Sequence, residues 1–216
     1  MMGYFRQCLT VWIIKKIQKY GPRRVRVLGR TYEISEDVFN PKFYFTSAFM
    51  AKHIRVSTDD TVLDMGTGSG IQAITAGQTA SRVVAVDINP EAVRYARKNV
   101  IHNGMENVVS IIEGDLFSAL GPEDIFSIIL FTPPYLEGNP KTVFDNALYD
   151  RNKELLDRFF REARNYIRAG GCIQMVYSSI AGAEEAVSIA ARHGWHCSVV
   201  ARENTYTEEF LIYRFT

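Results

Sequence analysis

From residue 61 onward, short apolar runs alternate with amphipathic stretches. Residues 61–65, 82–88, 107–112, 125–131 and 172–177 each read as a strand. Their nearly continuous apolar content suits strands covered on both faces. Residues 71–79 and 90–103 read as helices between them, the second with Pro90 at a first-turn position where its missing N–H costs nothing. Ala92, Val93, Ala96 and Val100 fall at helical spacing. Leu155, Leu156, Phe159, Phe160, Ala163, Tyr166 and Ile167 mark one face of a long helix expected to stop at Gly170-Gly171. Ala183–Arg192 is the next helix, and residues 195–201 and 209–215 close the chain as an antiparallel pair. Strand–helix units repeated at this length predict an α/β fold, a doubly wound and mostly parallel sheet with helices on both faces.

The first 60 residues follow another pattern. Leu9, Trp12, Ile13, Ile17 and Tyr20 share one helical face, with Lys15, Lys16 and Lys19 on another, and Gly21-Pro22 ends the helix. Residues 25–28 and 31–34 flank Gly29-Arg30 and predict a small hairpin. Asn40-Pro41 marks a turn, and a helix over residues 43–54 is expected to lead into the first core strand. The division expected is a helix-and-hairpin extension over residues 1–37 and a main domain over residues 38–216.

Composition narrows the class. With 216 residues, 47% apolar and 23% charged, the chain buries enough surface to fold without disulfides or metal. A disordered tail, a collagen-like chain and a disulfide scaffold are excluded. The longest unbroken apolar run near the N-terminus is residues 11–14, so neither a transmembrane helix nor a cleavable signal peptide is expected. Cys8, Cys172 and Cys197 are scattered and suit a reducing cytoplasm. The four histidines show no metal spacing, and no metal is expected. The net charge of +1 conceals an asymmetry: residues 1–30 carry eight basic groups and no acid, and the remainder carries a net −7. Such a basic arm suits an acidic partner such as nucleic acid, or a solvated helix face.

The most informative segment is Asp64-Met65-Gly66-Thr67-Gly68-Ser69-Gly70, a strand end, a glycine turn and a helix start. Glycine is needed where the backbone takes positive φ or approaches a ligand closely. The dinucleotide fingerprint wants a third glycine where Ile71 stands, which argues against a nicotinamide-dependent oxidoreductase. Asp87 ends the second strand, 17 residues after Gly70, where a carboxylate can accept both hydroxyls of a ribose. Asp115 follows the third strand, where an acid can accept from an adenine amine, and Ile88 and Leu116 can sandwich the base.

These residues resemble the class I S-adenosylmethionine-dependent methyltransferases. The first motif of that family matches Asp64 through Gly70, its ribose-binding acid matches Asp87, and its adenine-proximal acid matches Asp115. The resemblance covers about residues 38–216. It implies a Rossmann-like, seven-stranded sheet with the last strand antiparallel, and S-adenosylmethionine as cofactor with S-adenosylhomocysteine as product. It also implies cofactor contacts from Asp64, Gly66, Thr67, Gly68, Gly70, Asp87, Ile88, Asp115 and Leu116, with Asp64 holding the methionine end.

Thr132-Pro133-Pro134-Tyr135 ends the fourth strand, at the sheet edge where open α/β folds bind ligands. Two prolines remove N–H donors and leave carbonyl acceptors for the protons of a planar NH2 group, on which Tyr135 offers a flat face. Catalysis at such a corner is largely positioning. The segment resembles the Asn-Pro-Pro-Tyr motif of amino-directed N-methyltransferases, which act on release-factor glutamine or on exocyclic amines of nucleic-acid bases. Asp37-Val38-Phe39-Asn40-Pro41 with Thr46-Ser47 resembles the segment preceding the first motif in those enzymes. Thr132 departs from the pattern, because a hydroxyl is shorter than an amide and rotates freely. The polar residues 136–149 stand where a substrate lid belongs.

The expected function is therefore methyl transfer from S-adenosylmethionine to a planar amino nitrogen. The acceptor is a protein glutamine amide, on a release-factor-like partner, or an RNA base amine, which the basic arm favours. The alternative is a non-catalytic protein that keeps the cofactor site and acts through a partner or RNA.

Overall fold

In the computed structural model, residues 14–205 and 208–216 are described. The core is a seven-stranded sheet. Its strands are β3 (Thr61–Met65), β4 (Arg82–Asp87), β5 (Val109–Glu113), β6 (Phe126–Phe131), β7 (Ile167–Ser178), β8 (Cys197–Asn204) and β9 (Glu209–Phe215). They lie in the order β5-β4-β3-β6-β7-β9-β8. All neighbours from β5 to β7 are parallel, and the last strand, β9, runs antiparallel to both β7 and β8. The order reverses between β3 and β6, so the carboxyl ends of those strands flank the crevice of a doubly wound sheet.

Helices cover both faces because β3, β4 and β6 are apolar on both faces. One layer contains α2 (Phe45–His53), α3 (Ile71–Ala76) and α4 (Pro90–His102), contributing Phe49, Met50, Ile74 and Ala96 to one core. The other contains α5 (Glu154–Ala163) and α6 (Ala183–Arg192), contributing Leu156, Phe159, Phe160 and Ile189. Asn89 caps α4 by accepting from the Glu91 N–H at 2.9 Å.

The expected hairpin forms, but one residue earlier: β1 (Arg24–Val27) and β2 (Arg30–Glu33) flank Leu28-Gly29, which take φ 48° and 80°, and Arg30 pairs with Val27. It is tied to α4 by Asn99, whose Oδ1 accepts from Glu33 N at 2.7 Å and whose Nδ2 donates to Glu33 O at 2.8 Å. Helix α1 is described from residue 14 to residue 20, so Cys8, Leu9, Trp12 and Ile13 lie outside the described residues, as does Tyr206.

Three local expectations change. Tyr20, placed on the apolar face of α1, is 74% exposed, and the buried residue there is Gln18. Its amide donates to the carbonyls of Ser35 (2.9 Å) and Val38, and an apolar side chain at position 18 would leave both carbonyls without these bonds. The long helix stops at Ala163 rather than at Gly170-Gly171. Ile167 is used as a strand residue opposite Phe126, and Phe126 N donates to Tyr166 O at 2.8 Å. Gly171 serves the sheet instead, because a Cβ there would sit 2.7 Å from Ser127 O. Strand β5 starts at Val109, since Val108 and Val109 first turn back to the Met105 carbonyl.

Candidate active site

Strands β3 and β6 end side by side, with Met65 opposite Phe131. The glycine loop and the Thr132-Pro133-Pro134-Tyr135 corner therefore leave the sheet from adjacent strands. Gly66 (φ 66°), Gly68 (φ 55°) and Gly70 (φ 82°) all take the left-handed conformation, which explains three glycines in five residues. Gly66 N and Thr67 N donate to Val86 O at 2.8 and 3.1 Å, pinning the loop to β4. A Cβ at Gly68 would meet nothing within 4 Å, so that face of the loop is open to a ligand.

Asp64 is 1% exposed. Its Oδ2 accepts from Thr67 Oγ1 at 2.6 Å and Ala73 N at 3.0 Å, while its Oδ1 is buried without a hydrogen-bond partner among the described residues. Burial pushes its carboxyl up to about 7, against the pull of those two donors and with the Asp87 charge adding to the rise. An unsatisfied buried acceptor is costly, and it suits a cationic donor arriving from outside.

Asp87 holds the loop from the other side. Its Oδ2 accepts from Gly68 N at 2.8 Å and its Oδ1 from Asn89 N at 2.9 Å. Burial raises its carboxyl above the ordinary range, opposed by the N–H groups of Asn89, Gly68 and Ile88. Next to it Ile88 is 54% exposed, an apolar side chain at the crevice.

Asp115 has a partner that periodicity does not disclose. Arg158 from α5 sits on it bidentately, Nη1 to Oδ2 at 2.8 Å and Nη2 to Oδ1. Each carboxylate oxygen keeps one further lone pair for another donor. Leu116, buried beside it, takes φ 48°, a conformation branched aliphatic side chains avoid and one often met where a binding site holds the backbone.

At the corner, Thr132 and Tyr135 are half-buried and Pro133 is buried. Gln72, 6% exposed in α3, donates from Nε2 to Thr132 Oγ1 at 2.8 Å. A polar residue among the apolar side chains of the first turn, Ile71-Gln72-Ala73-Ile74, was the sequence signal for it. Tyr135 packs toward Tyr177, with ring centroids 5.8 Å apart, and burial pushes its phenol well above the ordinary tyrosine range. Lys153, 5% exposed and at φ 57°, donates from Nζ to Tyr135 O at 2.8 Å. Asp150, 3% exposed, accepts from Leu155 N at 2.9 Å and Leu156 N at 3.1 Å, and so caps α5 directly behind that lysine.

The segment after the corner is less polar inside than its sequence suggests. Leu136, Phe144 and Leu148 form a small core with Ile14, Phe39, Tyr135 and Tyr149. Lys15 of α1 pairs with Asp145 at 2.6 Å. Burial pushes the Asp145 carboxyl up, but Lys15 and the Lys141 N–H more than offset it and leave it below the ordinary range. Part of the basic arm is thus spent on holding this segment.

The geometry agrees with what the chain is similar to. The model of the methyltransferase small domain family matches residues 36–208. A Methanocaldococcus jannaschii protein named as a protein N5-glutamine methyltransferase is 31% identical over 195 residues, covering 87% of this chain and 96% of its own length. The ribosomal protein uL3 glutamine methyltransferase of Bradyrhizobium diazoefficiens is 31% identical over 182 residues, covering 73% of this chain but only 56% of its own length. Among solved structures, the E. cuniculi Mtq2–Trm112 complex, responsible for methylation of the eRF1 translation termination factor, superposes with a TM-score of 0.64 at 17% identity. That likeness covers 83% of this chain and 98% of the matched chain, and it bears on the fold. No helix among the described residues is long and apolar enough to cross a membrane. A matched family model over most of the chain, the seven-stranded topology and the glycine loop with its acids lead to one assignment: the chain belongs to the methyltransferase small domain family, within the class I S-adenosylmethionine-dependent methyltransferases.

Proposed function

We propose that this enzyme methylates the side-chain amide nitrogen of glutamine in a protein, with Thr132-Pro133-Pro134-Tyr135 as the acceptor corner. The observation that carries the reading is the pairing of Met65 with Phe131, which puts the glycine loop and the Pro-Pro-Tyr corner at one crevice. Support for a glutamine acceptor comes from the relative that matches over 96% of its own length.

The residues present fit the cofactor. The unpartnered Oδ1 of Asp64 suits an ammonium, Asp87 a ribose diol, and the open face of Gly68 a close-lying ligand. Ile88 and Leu116 suit the base, with Asp115 at its amine. When bound, the cofactor supplies an electrophilic methyl group on sulfonium sulfur. The chain's own contribution is to position and desolvate the acceptor: proline carbonyls take its N–H groups, and Tyr135 supports its plane.

The experiment is transfer of labelled methyl into an extract of the source cell, followed by protease or nuclease digestion. Label released by protease and recovered as N5-methylglutamine is expected; label confined to nucleic acid overturns the glutamine assignment. An RNA base amine is the second reading, favoured by the outward-facing Arg24 and Arg26 on the hairpin.

Asp64 makes cofactor binding pH-dependent. Its carboxyl, raised to about 7, attracts an ammonium only when ionised. Affinity for S-adenosylhomocysteine is expected to rise by up to about tenfold per pH unit below pH ~7 and to level off above it. The ligand-free fold behaves oppositely: the native state holds the proton more tightly than the unfolded chain, so this contribution weakens as pH rises from the ordinary aspartate value to about 7. Calorimetric titration across that window checks the first statement, and an equally steep profile in Asp64→Asn counts against it.

A further inference from the structure

We infer that Gln72 is the positioning partner of Thr132, and that the two together make the corner select a primary amide over a simple amine. The inference rests on the acceptor-corner reading above and extends it to a residue outside the corner.

The corner is rich in acceptors and poor in donors. Pro133 and Pro134 have no N–H. Among the described residues, no backbone N–H donates to their carbonyls, while the Tyr135 carbonyl is taken by Lys153. A primary amide presents an NH2 group next to a carbonyl oxygen, so it needs acceptors and one donor. Thr132 carries the hydroxyl proton at the strand end of this corner, the Tyr135 phenol lying at the far end of a ring packed toward Tyr177, and the direction of the Thr132 proton is what Gln72 decides.

A hydroxyl carries one proton and two lone pairs. Gln72 Nε2, 2.8 Å away, donates into one lone pair of Thr132 Oγ1. The Thr132 proton then cannot point at Gln72 and turns toward the crevice, where it meets the acceptor's carbonyl oxygen. With Gln72 only 6% exposed, its amide is shielded from competing water, and a freely rotating hydroxyl becomes a directed donor. A protonated amine has donors alone, and binding one would leave the Thr132 proton without a partner. The buried amide at position 72 thereby restores a fixed donor where Thr132 stands in place of an asparagine.

The test uses transfer of labelled methyl from S-adenosylmethionine into protein of the source-cell extract, with S-adenosylhomocysteine titrations and melting curves alongside. Gln72→Glu replaces the donor by an acceptor and turns the Thr132 proton inward; a fall of about 30-fold in rate is expected with cofactor affinity within about twofold. Gln72→Met, similar in volume and unable to hydrogen-bond, is expected to lose about tenfold. Adding Gln72→Met to Thr132→Val is expected to cost nothing further, and adding Thr132→Asn to Gln72→Met is expected to restore most of the rate. Loss of packing alone would give additive effects and no rescue. Wild-type rates in Gln72→Glu, or additivity in the double variants, overturn the inference. Tyr135→Ala separates the two levels: if it loses turnover while Gln72→Glu does not, only the role of Gln72 fails. If Tyr135→Ala keeps the wild-type rate, the corner reading fails and this inference with it.

Discussion

Asp87→Ala is expected to weaken binding of S-adenosylhomocysteine by at least about 100-fold. Hydrogen bonds to a charged group contribute roughly 1.5–3 kcal/mol each, and a ribose diol makes two of them to one carboxylate. The same carboxylate also accepts from Gly68 N at 2.8 Å and Asn89 N at 2.9 Å. Its removal therefore loosens the loop as well as the ligand. Asp87→Asn keeps an acceptor and loses the charge, and an intermediate loss of about tenfold is expected. Calorimetry measures both variants, with circular dichroism to show that the sheet is intact. Affinity within threefold of wild type in Asp87→Ala would remove the ribose assignment.

The second large effect is on stability. Asp150→Ala is expected to cost about 2 kcal/mol, because a nearly buried carboxylate accepts from Leu155 N and Leu156 N at the start of α5. For a chain of this size that corresponds to a melting temperature lower by about 4–8 °C. Asp150→Asn retains one acceptor and should lose about half as much. The effect should reach turnover too. Asp150 N donates to Leu136 O at 3.0 Å, and Lys153, on the same turn, bonds Tyr135 O. An unchanged melting temperature in Asp150→Ala would show that water replaces the cap without cost.

Charge assignments follow a similar contrast between chain and fold. The asymmetry near residue 30 points to an acidic partner, but Lys15 is already paired with the nearly buried Asp145. Exposed Arg24 and Arg26 remain the better candidates for contact with an acceptor molecule, since β1 turns its valines inward.

The strand–helix alternation was legible from Thr61 to Phe215 because apolar content and glycine placement are local properties. The glycine loop, Asp64 and Asp87 were legible for the same reason: tight turns and strand-end acids leave their mark within a few residues. The end of α5 was not, since Ile167 satisfies the helical period equally well and only its pairing opposite Phe126 makes it a strand. Gln72 on Thr132, Arg158 on Asp115 and Lys153 on Tyr135 lie 60, 43 and 18 residues apart. Hydrogen bonds across such distances depend on how strands and helices are stacked, and no periodicity encodes them. Local spacing thus marked the glycine loop and its strand-end acids, and long-range packing decided which side chains hold the Thr132-Pro133-Pro134-Tyr135 turn.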